Sequence, residues 1–285
     1  MTVVALVGDC TTTTCMALAA GWPESADTEA VIVEADPTGG SIAAWLDAPL
    51  SPSLSSLVTA LHHGADSGDG GRSTGWAAID SMIRRTGAGI RFVPAPFRTR
   101  EARSALAEAD RSLFGLLAAT DDVVALVDCG RIDHGRIPIA CRHADLTVVC
   151  HRLDAASPPA ATVRLERLTE TVEALRLQGH EIAVVLIGDD PFGLDEVLSF
   201  AAPDAPGWQL AVDVLAASVF AGRTGVSTKR LARLPLPRSA ARAAVGIIGY
   251  LTARTTRLDD RPAAAPEAGR VPAAPLPDRA EVVTR

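Results

Sequence analysis

Short, uninterrupted apolar runs recur along the chain, each followed by a stretch of helical character. "TVVALVG" (2–8), "AVIVEAD" (30–36), "GIRFVPAP" (89–96), "DVVALVDCG" (122–130), "ADLTVVCHR" (144–152), "EIAVVLIGDD" (181–190) and "GWQLAVDV" (207–214) read as strands. Helical segments at 53–64, 75–87, 100–120 and 159–178 lie between them, and a last helix over 239–256 closes the series. A strand that is apolar on successive residues has neither face in water. The alternation therefore predicts an α/β fold: a mostly parallel, doubly wound sheet covered by helices on both faces. Right-handed crossovers then bring the loops that follow the strands to one common edge.

With 285 residues, 48% of them apolar, the chain can bury a full core. The pattern assigns 1–257 to one domain. Residues 258–285 are rich in Pro and Ala, lack aromatics and read as a disordered tail. A net charge of −7 argues against a surface that binds nucleic acid everywhere. Among the 27 basic residues all but Lys229 are Arg, a bias of composition rather than of one site. Five cysteines (Cys10, Cys15, Cys129, Cys141 and Cys150) show no metal-type spacing. Cys129 and Cys150 fall in or beside apolar runs and read as buried thiols, which suits a reducing, cytoplasmic setting. The start "MTVVALVGD" lacks the basic region of a signal peptide. No apolar run reaches the ~18 residues that a membrane span needs.

"VVALVGDCTTTTCMALAAGW" (3–22) has the outline of a phosphate-binding loop: a buried strand, a Gly, a hydroxyl cluster and an Ala-rich helix. In such loops, backbone N–H groups at a helix start face phosphates, a Lys reaches the β/γ oxygens and a Ser or Thr hydroxyl ligates Mg²⁺. Gly8 can make the turn, and Thr12 or Thr13 can supply the hydroxyl. Three features oppose tight binding: the loop holds one Gly, Asp9 is negative, and no Lys or Arg precedes Arg72. Two strand-end carboxylates strengthen the nucleotide reading. Asp36 opens "DPTGG" after the second strand, and Asp128 ends "VVALVD". Carboxylates on the edge that carries a phosphate loop are what Mg²⁺ and an attacking water require.

These segments together resemble the ParA/MinD deviant-Walker ATPases. "LVGDCTTTTCMALAAGW" is similar to their Walker A segment and helix, "VIVEADPTGGSIAAWLD" to their "DxDPQGN" stretch with Glu34 and Asp36 at its acidic positions, and "DDVVALVDCG" to their Walker B strand. "ADLTVVCHRLDAASPPAATVRLERL" and "IAVVLIGDDP" resemble later elements, so the likeness spans roughly 2–256. The resemblance implies a P-loop fold and a cofactor-binding segment of Gly8, Asp9, Cys10, Thr11, Thr12 and Thr13. It further implies Mg²⁺ held by Thr12 (or Thr13), Asp36 and Asp128, with Asp36 as the catalytic residue that positions water. The family's two loop lysines would fall within Leu6–Thr11, where there is none. A charge-assisted phosphate contact is worth roughly 1.5–3 kcal/mol.

The expectation is accordingly a degenerate ParA/MinD-like positioning or partitioning factor, a pseudo-ATPase with ATP and Mg²⁺ binding weak or absent. It would work through a protein partner and as a homodimer. Two alternatives share the fold: a working ATPase in which an Arg replaces the loop lysine, and a TadZ/CpaE-like adaptor for a pilus or secretion assembly. The segment 220–242, with Arg223, Lys229, Arg230 and Arg233, is the densest positive stretch. It is the candidate for contact with DNA, with an acidic partner or with the loop itself. The Pro-rich end lacks a basic amphipathic face, so direct membrane insertion is not expected. No GxGxxG occurs, which argues against a dinucleotide enzyme, and the GxSxG match "GRSTG" (71–75) falls in a Gly/Asp/Ser loop rather than in the strand-to-helix turn of a nucleophile elbow, which argues against a serine hydrolase.

Overall fold

The computed structural model describes residues 2–26, 28–66, 77, 79–118, 123–132, 135–152, 157–188 and 192–259. The tail expected from 258 therefore lies almost wholly outside the described residues.

Eight strands form one sheet in the order β3-β4-β2-β5-β1-β6-β7-β8. They are β1 (Thr2–Gly8), β2 (Glu29–Glu34), β3 (Arg84–Arg85), β4 (Arg91–Val93), β5 (Val123–Asp128), β6 (Leu146–Arg152), β7 (Ile182–Ile187) and β8 (Gly207–Leu210). Every pairing is parallel except that of β3 with β4 at one edge. The architecture is thus the mostly parallel, helix-covered sheet expected from the apolar runs, with no closed barrel.

Successive residues of a strand face opposite sides, and the buried side chains sort accordingly into two layers. Val4, Leu6, Ile32, Leu126 and Val148 face α1 (Thr11–Ala20) and the closing helix α9 (Pro235–Asp259). Val3, Ala5, Val7, Val33, Ala125 and Val127 face the other side. There they meet α3 (Leu54–Asp66), α4 (Thr99–Ala118), α5 (Pro158–Leu177) and α6 (Leu194–Ala201). The short α2 (Ile42–Trp45), α7 (Val214–Phe220) and α8 (Thr228–Leu231) complete the α1 side.

Helix α1 is buried on nearly every side, which explains its small residues. A Cβ on Gly21 at its end would lie 2.7 Å from the backbone nitrogen of Ala241 in α9, so glycine permits the two helices to approach closely. Cys15, Cys129, Cys141 and Cys150 are buried free thiols, whereas Cys10 is exposed.

Two elements differ from the sequence reading. The run expected as strand over 89–96 pairs only at 91–93, because Pro94 and Pro96 lack the N–H a ladder needs. The helix expected over 75–87 stops by Met82, and Arg84–Arg85 instead pairs antiparallel with β4. The Thr86 hydroxyl accepts the N–H groups of Ala88 (3.2 Å) and Ile90 (3.1 Å), which fixes the turn between them.

Candidate functional site

Strand register assembles the site. Leu6 of β1 stands opposite Asp128 of β5, and Asp128 opposite Glu34 of β2. Residues in register across a parallel sheet face the same side, so Asp128 and Glu34 both look towards the layer of α1 and α2. The hydroxyl of Thr12, in the first turn of α1, donates to Asp128 Oδ2 at 2.5 Å. Asp128 Oδ1 accepts the Gly130 N–H at 3.2 Å. Burial pushes the Asp128 carboxyl above its ordinary value; hydroxyls of Thr11 and Thr12 and the Gly130 N–H pull it back, and the nearby Asp36 charge raises it again.

Asp36 joins this group. Its carboxylate lies against Gly130, where an added Cβ would come within 2.3 Å of Oδ2. Asp36 Oδ1 accepts both the N–H and the hydroxyl of Thr38 at 2.7 Å, an Asx-type turn that holds the carboxylate at the edge. Thr12 and Asp36 are thus brought together around Asp128 and Gly130, and the Gly130 carbonyl accepts the Gly8 N–H.

Glu34 has a different role from its neighbour. It is 1% exposed; Oε1 accepts the N–H groups of Ser41 (2.7 Å) and Ile42 (2.8 Å), and Oε2 that of Ala95 (3.1 Å). It ties the loop bearing Asp36 to the end of β4 and faces no open space. Burial pushes its carboxyl up to about 7 against the pull of those backbone donors.

The segment between β1 and α1 is short: only Asp9 and Cys10 separate Gly8 from Thr11, the first residue of α1. Cys10 takes φ 54° and Gly8 φ 110°. A Cβ on Gly8 would meet the Cys150 carbonyl oxygen at 2.3 Å. Two backbone donors here are bonded within the protein: Gly8 N–H to the carbonyl of Gly130, just after β5, at 3.0 Å and Asp9 N–H to that of Cys150 in β6 at 2.8 Å. Asp9 Oδ2 accepts the Arg152 N–H at 3.4 Å, and Oδ1 lies 3.8 Å from the Arg131 guanidinium.

Next to the start of α1 a cavity of about 390 Å³ opens. Ile187 and Leu210 at the ends of β7 and β8, with Val212, Val214 and Trp45, give it apolar walls. Thr13, Thr14, Cys10, Arg152 and Arg223 also line it. Asp213 also borders it; its Oδ1 accepts the Ala216 N–H at 2.9 Å and so caps α7. Arg223 is thus the member of the basic segment that reaches the site, while Lys229, Arg230 and Arg233 are exposed residues outside the cavity lining. Arg152 was missed in the sequence, although it ends a strand on the same edge as Asp36 and Asp128.

The oxygen-only set of Thr12, Asp128 and Asp36 suits a hard divalent cation such as Mg²⁺. Among the described residues no cluster of three or more His, Cys, Asp or Glu could hold a metal alone. A cation here would need phosphate oxygens and water to complete its shell.

The mostly parallel, helix-covered sheet is that of the P-loop NTPase fold. Solved structures agree on the ParA/MinD variant of that fold. A ParA family ATPase from Chlorobium tepidum TLS superposes with a TM-score of 0.62 at 15% identity, covering 86% of this chain and 97% of that one. MinD in the MinC:MinD cell division complex of Aquifex aeolicus gives 0.61 at 10%, covering 87% and 96%. The septum site-determining protein MinD with Mg-ADP from Pyrococcus horikoshii OT3 gives 0.59 at 14%, covering 86% and 95%. At these identities the likeness is one of fold. The sequence matches no protein-family model and no curated protein. Among the described residues no helix is long and apolar enough to cross a membrane.

Proposed function

We propose that this chain is a degenerate ParA/MinD-like positioning or partitioning factor that acts through protein contacts, with nucleotide binding weakened or lost. One observation carries the reading: the N–H groups of Gly8 and Asp9 bond to the carbonyls of Gly130 and Cys150, in a loop without a cation of its own. Their release to a phosphate would cost two backbone hydrogen bonds, each worth about 1 kcal/mol. The residues from Gly8 to Thr13 would then hold a nucleotide only loosely. Thr12, Asp128 and Asp36 would hold Mg²⁺, which when bound neutralises phosphate charge. Asp36, fixed by Thr38, would orient water. A protein partner fits the reading, since MinD occurs in complex with MinC, and a homodimer and a DNA contact through Lys229, Arg230 and Arg233 belong to the same proposal. ATP turnover by purified protein tests it: background turnover, unchanged in Asp36→Ala, is expected. Turnover abolished by Asp36→Ala would overturn it.

A second reading, a working ATPase with an arginine in place of the lysine, is favoured by Arg223 at the cavity beside Thr13 and Thr14. It requires ATP·Mg²⁺ affinity that falls at least tenfold in Arg223→Ala and stays unchanged in Arg230→Ala, whose side chain lies outside the cavity lining. Equal affinity in wild type and Arg223→Ala removes it.

A further inference from the structure

The sheet ends at β3, a strand of two residues whose outer side pairs with no described strand. Arg84 lies opposite Phe92 and Arg85 opposite Arg91, and the Thr86 N–H bonds to the Ile90 carbonyl at 2.9 Å. Bonded and non-bonded positions alternate along an antiparallel ladder. Arg85 therefore turns its N–H and carbonyl away from β4, towards the open side. Ile83 turns its carbonyl the same way, while its N–H is held by the Asp80 carbonyl at 3.2 Å. An open edge of this kind is a template for a further strand.

The side chains at this edge define what such a strand must carry. Arg85 and Arg91 stand directly opposite each other, a like-charge pair that weakens the ladder. Arg91 is compensated by Glu29 and, at 3.1 Å, by Asp80. The exposed Arg85 has no ion pair among the described residues. On the face of Arg84 and Phe92 a cavity of about 620 Å³ opens, with Leu46, Ala48, Pro49 and Met82 in its lining. Arg84 donates to the carbonyls of Pro49 and, at 2.9 Å, Pro52, and so closes one side of it. An added strand thus meets a cation on one face and an apolar hollow on the other.

The chain contains a segment of that kind. "AEVVT" (280–284) sets Glu281 before Val282, Val283 and Thr284, β-branched residues that favour strands. Helix α9 leads to the matching end of the sheet. Arg254, near its close, bonds to the Asp145 carbonyl before β6 and lies 3.9 Å from Glu181 before β7. The turn between β3 and β4 lies at that same end, where the parallel strands begin. From β6 to β3 is five strand spacings, about 24 Å. Residues 260–280, with five prolines, reach up to about 65 Å when extended.

We propose that residues 280–284 add to β3 as an antiparallel edge strand, with Glu281 opposite Arg85. That register sets Val283 opposite Ile83 on one face and turns Val282 to the cavity on the other. Glu281 exchanges both backbone bonds with Arg85 and neutralises its guanidinium, and the Val283 N–H meets the Ile83 carbonyl. The tether holds the segment at an effective concentration of roughly millimolar, so it outcompetes strands of other chains for this edge.

The test is amide hydrogen exchange, read residue by residue by NMR, on the full chain. In wild type the amides of Glu281 and Val283 should exchange at least tenfold more slowly than in the free peptide 279–285. Val283→Pro removes a donor from the strand; it should abolish the protection of Glu281 and speed the Arg85 amide at least tenfold. Glu281→Arg should lower the protection at least twofold, and its combination with Arg85→Glu should restore it. Peptide-like exchange of Glu281 and Val283 in wild type overturns the proposal. So does an Arg85 amide unchanged by Val283→Pro, because another segment would then cover the edge. Protection that rises with protein concentration would put the strand on a second copy and overturn pairing within one chain. Val283→Pro and Glu281→Arg leave the sequence of the sheet and its helices intact, so the outcome does not hang on the folding of Arg85→Glu.

Discussion

Replacing Glu34 by Gln should change the pH dependence of stability more than stability itself. The carboxyl is buried and accepts three backbone N–H groups, yet burial outweighs them and raises its pKa from 4.5 to about 7. In the unfolded chain the group ionises near its ordinary value. Between the two values the folded protein keeps a proton that the unfolded chain has released, so stability is fully present below 4.5 and is lost as pH rises through about 7. From pH 5 to pH 8 linkage gives a loss of about 2.5 kcal/mol. Gln keeps one carbonyl for the Ser41 and Ile42 N–H groups but sets an NH2, two donors and no acceptor, against the Ala95 N–H, and it cannot ionise. At pH 5 Glu34→Gln should be the less stable by roughly 1–2 kcal/mol; by pH 8 the difference should have moved in its favour by about 2.5 kcal/mol. Urea unfolding followed by tryptophan fluorescence at four pH values, without divalent cations, reads the difference. A Gln variant that is less stable by the same amount at every pH would refute the reasoning. The three N–H donors would then outweigh burial, and Glu34 would ionise like an exposed carboxylate.

Other outcomes follow from single contacts. Gly8→Ala must place a Cβ against the Cys150 carbonyl at φ 110° and should cost more than ~2 kcal/mol in the same unfolding assay. Thr12→Val removes a short bond to a buried carboxylate and should cost about 1.5–3 kcal/mol above pH 7; a neutral effect would mean the hydroxyl does not hold Asp128. Gly21→Leu should force α1 from α9, where a Cβ already meets Ala241 at 2.7 Å, and lower thermal stability by several degrees.

Much of this was legible in the residues alone. Runs such as Val123–Asp128, buried at every position, announce a strand covered on both faces, and Asp36 and Asp128 mark the edge on which such strands end. The joining of Thr12 to Asp128 was within reach for the same reason. What the sequence did not reveal is tertiary in origin. Nothing in "GDC" says that the N–H groups of Gly8 and Asp9 bond to the carbonyls of Gly130 and Cys150, more than 120 residues away. Glu34 sits in a segment whose acidic residues look alike, but its position in register with Asp128 buries it while Asp36, two residues on, lies against Gly130. The cavity draws on α1, α2, β6, β7, β8 and the segment around Arg223, and no local pattern links those.

The central proposal, that the lysine-free loop does not support tight nucleotide triphosphate binding, is tested most directly by calorimetric titration of the full chain with ATP, ADP and GTP in Mg²⁺. The account predicts triphosphate dissociation constants weaker than about 100 µM, a binding free energy of roughly −5.5 kcal/mol or less favourable. A dissociation constant near 1 µM for ATP or GTP, about −8 kcal/mol, would contradict it.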